Sequence, residues 1–320
     1  MKISSIAAII CSGLLLNALI RQPPPGSAQA RSKPPQIESG LLAELRAGRS
    51  VMFVGAHPDD ETTLGPLLAR VSEQTKVIVV CFTKGEGGAN KIGPELDAML
   101  GEIRVRELAA AARVLGVEHR ILGFWNGLPG GMRNPENPRE TPEQAIARWR
   151  QSGRDPMGEL VKAIRQWRPG IIISFDPEQG FTGHKEHRAV GMLTASAFQE
   201  AADTGRYAEQ LKEGLKAWQP RQFYQVVNLY PDNPRLPRID GQRITEVIDG
   251  NLRSPKRDKT YAEIGLEAFA SHPSQVGQDL AQPAFAARIR RQIEQTAVIL
   301  AASEPKTAVD DKTQPPQPRD

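Results

Sequence analysis

Val51-Met52-Phe53-Val54-Gly55-Ala56-His57-Pro58-Asp59-Asp60-Glu61 joins an apolar run directly to a cluster of ionisable side chains. From Val51 to Ala56 no side chain is polar, as expected of a strand covered on both faces. Such a strand belongs to a parallel sheet flanked by helices on both sides. In sheets of that kind ligands bind beyond the carboxyl ends of the strands, which is where His57 begins.

Working outward, the same pattern recurs. Val77–Thr83 is a second buried strand, Arg120–Phe124 a third, Ile171–Phe175 a fourth and Gln222–Tyr230 a fifth. Between them lie helical patterns at Thr62–Val71, Glu95–Leu115, Pro142–Gln151 and Pro156–Trp167, the last stopping before Pro169 as a helix should. In the longest of these, Leu96, Met99, Leu100, Ile103, Leu108, Ala111 and Leu115 recur mostly at three- and four-residue spacings, and Gly116 is a natural stop. A further helix starts near Glu186 or His187, and helices over Thr260–Ser271 and Pro283–Ala302 close the domain. The expected class is α/β, a Rossmann-like, mostly parallel sheet with helices on both faces. Asn126–Thr141, rich in Gly, Pro and Asn, reads as a long loop.

The 320 residues suffice for one large core, and 39% hydrophobic with 24% charged residues is ordinary for a globular domain. A formal charge of +4, with the charges interspersed, gives no electrostatic footprint for nucleic acid. Lys2, the apolar and small residues from Ile3 to Ile20, the break Pro23-Pro24-Pro25-Gly26 and Ala28-Gln29-Ala30 read as an export signal over 1–30. Cleavage near Ala30 would release a periplasmic or extracellular protein; the alternative is an uncleaved membrane anchor. A linker (31–40), a catalytic domain (41–303) and a polar, Pro-rich tail expected to be disordered (304–320) complete the division. Cys81 is the only cysteine left after cleavage, and its apolar neighbours make it a buried strand residue rather than a nucleophile.

Three strand ends deliver polar residues: His57 to Glu61, Lys84-Gly85-Glu86-Gly87-Gly88, and His184-Lys185-Glu186-His187. Imidazole and carboxylate together suit a divalent metal such as Zn2+, whose catalytic sites use three protein ligands and leave one position open. His57 and Asp60 can converge on one ion, with His184 or His187 completing the set and Asp59 left as a general base. Singly, each segment has a plain structural reading: Asp59 or Asp60 as a helix cap, the later histidines as solvated residues at a helix start. Jointly, at the ends of two strands, they favour the metal. The glycines at 85, 87 and 88 favour a turn over a phosphate cradle, and no G-x-G-x-x-G follows the first strand.

At these residues the chain resembles the LmbE-like (PIG-L) deacetylases, which include N-acetylglucosaminyl-phosphatidylinositol de-N-acetylase and the mycothiol and bacillithiol pathway deacetylases. The resemblance runs from about Val51 to Val190, with support at Thr83–Gly87, Glu102-Ile103-Arg104, Glu107, Leu115-Gly116-Val117 and Gly183-His184 with His187-Arg188, and a weaker echo at Ser271-His272-Pro273-Ser274-Gln275. It implies Zn2+ held by His57, Asp60 and His187, Asp59 as general base, and His184 stabilising the tetrahedral oxyanion. The implied reaction removes an N-acetyl group from an amino sugar or N-acetylglucosamine conjugate, so the partner is a small-molecule or glycan substrate bearing N-acetyl. Other readings are an amidase for another N-acyl or thiol conjugate and a non-catalytic carbohydrate-binding protein. Three positions depart from the family pattern: Lys185-Glu186 where Pro-Asp is common, Gly265 for a lysine, and Asn126 for an aspartate.

Overall fold

The computed structural model describes residues 40–128, 140–231 and 234–303. The expected signal segment, nearly all of the linker, the tail and residues 129–139 of the long loop lie outside them. Seven strands form one sheet: β1 (Val51–Gly55), β2 (Val77–Thr83), β3 (Glu118–Phe124), β4 (Ile171–Phe175), β5 (Gln222–Val227), β6 (Glu246–Asp249) and β7 (Gln295–Ser303). Their order is β3-β2-β1-β4-β5-β7-β6. The first five are mutually parallel, while β7 runs antiparallel to both β5 and β6.

Every residue of β1, β2 and β4 is buried, which is why these segments read as apolar runs interrupted only by Thr83 and Ser174. The outer strand β3 is mostly exposed or half-buried. On one face, α1 (Gly40–Arg46), α2 (Gly65–Ser72), α3 (Asp97–Leu115) and α9 (Tyr261–Ala270) close a core around Phe53, Leu68, Leu108, Phe175 and Ile264. On the other, α4 (Pro142–Arg150), α5 (Pro156–Trp167) and α7 (Lys185–Glu200) close a core around Phe82, Trp149, Ile164 and Phe198. Short helices α6 (Gly180–Gly183), α8 (Ala208–Lys212) and α10 (Pro273–Val276), and the longer α11 (Pro283–Glu294), complete the chain. Among the described residues no helix is long and apolar enough to cross a membrane.

Local chemistry sets the helix boundaries. Thr141 with Gln144 and Thr260 with Glu263 form capping boxes at the starts of α4 and α9. Gly116, in the left-handed region at φ 74°, ends α3.

Two boundaries correct the sequence reading, and one strand, β6, was not anticipated by it. The helix expected over Pro283–Ala302 ends at Glu294, and Gln295–Ser303 is β7. Thr296, Val298 and Ile299 are β-branched and find partners on β5 and β6, so sheet pairing overrides the helical continuation. The adjoining β6 is only four residues long, with the alternating burial of a half-covered strand. Finally, β5 ends at Val227 rather than Tyr230, because Asn228 turns out of the sheet; its N–H donates to Gln179 Oε1 at 2.7 Å and its side chain donates to Phe181 O at 3.2 Å.

The order β3-β2-β1-β4-β5 reverses direction between β1 and β4, and the carboxyl ends of those two neighbours open a crevice at the switch point. The residues that follow both strands meet there.

Candidate metal and catalytic site

After β1 the chain turns at Pro58 into a short 3-10 helix over Asp60–Leu64. Asp60 folds back on the turn, and its Oδ2 accepts the N–H groups of Ala56 at 2.6 Å and His57 at 2.9 Å. That leaves Oδ1 facing the crevice, 3.0 Å from His187 Nε2 and 3.8 Å from His57 Nδ1. The two imidazole nitrogens are themselves 3.3 Å apart. With metal–nitrogen bonds of about 2.0–2.1 Å, the edge of a tetrahedral site is about 3.3 Å. The three donor atoms thus lie near the corners of one tetrahedral face.

Partners on the far side of each ring fix the tautomers this requires. His57 Nε2–H donates to Glu186 Oε2 at 2.6 Å, leaving Nδ1 with its lone pair. His187 Nδ1–H donates to Gly180 O at 3.0 Å, leaving Nε2, and the ring stacks on Phe175 at 4.3 Å between centroids. Without a metal, His57 is pushed up to about 10: burial opposes protonation, but Asp60 and Glu186 outweigh it. Burial likewise works against an ionised Asp60, yet His187 and His57 hold it well below the usual carboxylate range. A donor set of two imidazoles and a carboxylate, with a proton where a cation would sit, fits a divalent metal.

His184 also comes within 4.8 Å of the other two imidazoles. Its role differs, because it is the N-cap of α7 and its Nδ1 accepts the Glu186 N–H at 3.4 Å. The remaining Nε2–H is left to the cleft. His184 reaches solvent, and desolvation within the cleft, then the charge on His57 and His187, pushes it below the ordinary imidazole value. The structure therefore brings together all five residues singled out in the sequence.

Asp59 stands in the left-handed region at φ 116°, ψ −19°, a conformation that costs a non-glycine residue about 1–3 kcal/mol. Side chains from elsewhere hold it. Arg104 on α3 donates to Asp59 Oδ1 at 2.9 Å, to Pro58 O at 2.5 Å and to Gly85 O at 3.0 Å. The Asp59 N–H donates to Glu61 Oε2 at 3.0 Å. Burial raises the Asp59 pKa and nearby Asp60 adds to it, while Arg104 pulls the other way; the net shift is upward, which suits a base. The glycine loop after β2 is a turn, closed by Gly88 N–H donating to Gly85 O at 3.1 Å. Gly85, at φ 69°, is crossed so closely by Arg104 that a Cβ would lie 2.4 Å from its guanidinium.

Glu186 is the residue the sequence reading did not single out. It is fully buried, and its carboxylate takes three donors: His57 Nε2, Asn126 Nδ2 at 2.6 Å and Arg148 Nη2 at 2.5 Å. Burial works against its charge, but His57 above all, with Arg148, holds it well below the usual carboxylate range. Its place between two candidate ligand histidines was the available signal. Asn126, an apparent departure, supplies a donor to Glu186 where an aspartate would repel it. Gly265 is explained by packing, since a Cβ there would lie 2.9 Å from Pro66.

The cleft above these residues encloses about 570 Å³ and runs from His57 and Asp59 to an apolar wall of Leu236, Phe269, Phe285 and Ile289. Cys81 is buried in β2, as expected.

Residues 52–198 match the family described as PIG-L, GlcNAc-PI de-N-acetylase. A mycothiol S-conjugate amidase from Streptomyces coelicolor is 35% identical over 217 residues, 65% of this chain and 69% of that protein. A 1D-myo-inositol 2-acetamido-2-deoxy-alpha-D-glucopyranoside deacetylase from Streptomyces scabiei is 29% identical, over 75% of this chain and 80% of its own. Among solved structures, N,N'-diacetylchitobiose deacetylase from Pyrococcus horikoshii aligns with a TM-score of 0.57 at 20% identity, covering 79% of this chain and 83% of that one. GalB, the 4-carboxy-2-hydroxymuconate hydratase of Pseudomonas putida KT2440, aligns at 0.53 and 17%, covering 82% and 100%. The chain belongs to the PIG-L (LmbE-like) family. It is an enzyme, a hydrolase of amide bonds. A hydratase shares the fold, so the fold by itself does not set the chemistry.

Proposed function

We propose that the protein is a zinc-dependent N-deacetylase acting on an amino sugar or N-acetylglucosamine conjugate. The observation that carries this is the convergence of His57 Nδ1, Asp60 Oδ1 and His187 Nε2, with each atom's alternative role already occupied and Asp59 alongside. The names of the relatives supply the substrate class. Zinc held there would act as a Lewis acid and lower the pKa of a coordinated water.

The chain's own residues do the rest. Asp59 accepts a proton from the attacking water and delivers it to the departing nitrogen, so one carboxylate serves both halves of the reaction. His184 presents its Nε2–H to the carbonyl oxygen as charge builds on it, where a preorganised donor is worth most. Glu186 keeps His57 in the tautomer that binds metal.

An amidase acting on a larger acyl or thiol conjugate is the second reading, favoured by the apolar far wall of the cleft and by the Streptomyces coelicolor relative. We further propose export, on the strength of Lys2, the apolar stretch to Ile20 and Ala28-Gln29-Ala30.

The test is amine release from N-acetylglucosaminides and from their longer-chain N-acyl analogues, measured on chelated and zinc-restored protein. Release of the acetyl group that depends on zinc is expected. Zinc-loaded protein that frees no amine from any acetylated sugar would sink the deacetylase reading, and preference for longer acyl groups would install the second.

A further inference from the structure

We infer that His272 is a positioning residue for the base: with Glu61 it forms a buried strut that holds the Asp59 peptide in its left-handed conformation. The inference rests on the role proposed for Asp59.

Three observations meet here. First, Asp59 is at φ 116° with no glycine to ease it, so something outside the turn must hold it. Second, the Glu61 carboxylate is shared between two donors. Its Oε2 accepts the Asp59 N–H at 3.0 Å, and its Oε1 accepts His272 Nε2–H at 2.6 Å. Both Glu61 and His272 are wholly buried, at 0% exposure, so water cannot substitute for either partner. Third, His272 is itself fixed. It lies between α9 and α10, and two residues on, Ser274 donates both its N–H and its hydroxyl to Glu107, at 2.7 and 2.6 Å.

Glu107 lies one helical turn after Arg104 on α3. The same helix therefore grips the Asp59 carboxylate through Arg104 and the His272 segment through Glu107. Without the strut, the Asp59 N–H loses its acceptor, the turn relaxes toward ordinary φ, and the carboxylate leaves the reaction centre. The metal donors do not depend on it, because Asp60 is tied to the backbone of Ala56 and His57.

The experiment pairs His272→Asn with His272→Gln. An asparagine amide reaches only the position of the imidazole Nδ1, whereas a glutamine amide reaches that of Nε2 and can still donate to Glu61. For His272→Asn we expect zinc content and KM unchanged and kcat lowered about a hundredfold, the scale of a misplacement of about 1 Å. His272→Gln should recover most of that. Hydrogen exchange of the Asp59 amide in the metal-free protein provides a readout apart from turnover: slow in the native chain, fast in His272→Asn. Native kcat in His272→Asn overturns the inference, as does an equal loss in both variants, which marks packing instead of the hydrogen bond. An unprotected Asp59 amide in the native chain overturns it even where a variant fails to fold. Failure of the deacetylase reading is distinct, since it abolishes amine release in the native protein and leaves the exchange result standing.

Discussion

The turn after β1 and the helix start after β4 deliver donors to the same point, yet they are held in different ways. At His184–His187 the local backbone does most of the work. His184 caps α7, His187 sits on the first turn, and its Nδ1 is satisfied by Gly180 O, a few residues back. At His57–Glu61 the backbone is strained at Asp59, and side chains from α3 and from the segment between α9 and α10 hold it. His187 on α7 is placed by helix formation, whereas Asp59 is placed by long-range packing. A fold that holds the Asp59 carboxylate beside that of Asp60 has reason to spread that cost over several distant contacts.

The largest effect should come from removing the strained residue's charge. Asp59→Asn preserves size and the Arg104 contact geometry but cannot accept a proton. We expect kcat to fall by roughly 10²–10⁴ with zinc stoichiometry unchanged, as for loss of a positioned general base. Metal analysis alongside steady-state kinetics checks it. A joint loss of zinc and activity would break the comparison, because the strained turn would then be serving the metal instead of the base.

The opposite signature is expected on the α7 side. Glu186→Gln keeps the volume but weakens the hold on His57 Nε2 and removes one of the two carboxylates paired with Arg148, which keeps Glu140. Zinc affinity should drop about 10–100-fold, the usual cost of losing an outer partner of a ligand histidine. Competition with a chelator of known affinity measures this directly. Undiminished affinity would show that His57 is oriented without Glu186.

Legibility in the sequence follows the same division. The strands β1, β2 and β4 could be read because burial on both faces leaves them almost wholly apolar, with only Thr83 and Ser174 as buried polar exceptions. His57, Asp59, Asp60, His184 and His187 could be read because they follow those strands closely. Glu186 was passed over because a charged residue on the first turn of a helix ordinarily faces water; only the approach of Arg148 and Asn126 makes it a buried acceptor. The helix pattern through Ala302 was misleading because Gln295–Ser303 satisfies either periodicity, and the choice is made by the free edge of β5. The Ser271–Gln275 echo was visible, but its use was not: nothing in local spacing says that His272 meets Glu61.

The smallest effect concerns pH and sharpens that last contact. Burial lowers the His272 pKa, but Glu61, with Asp59 further off, outweighs it and raises the value above the ordinary one. A group that binds its proton more tightly when folded stabilises the fold fully below its unfolded value of about 6.5, and that contribution is lost as pH rises through the folded value. Each unit of elevation corresponds to about 1.4 kcal/mol. Denaturant midpoints of the metal-free native protein should therefore fall on alkalisation above neutrality. His272→Gln, which has no proton to lose there, should show a flatter profile over the same range. Parallel profiles for the two proteins would mean that Glu61 does not hold His272 as a cation, and that the contact is made by a neutral imidazole through its Nε2–H.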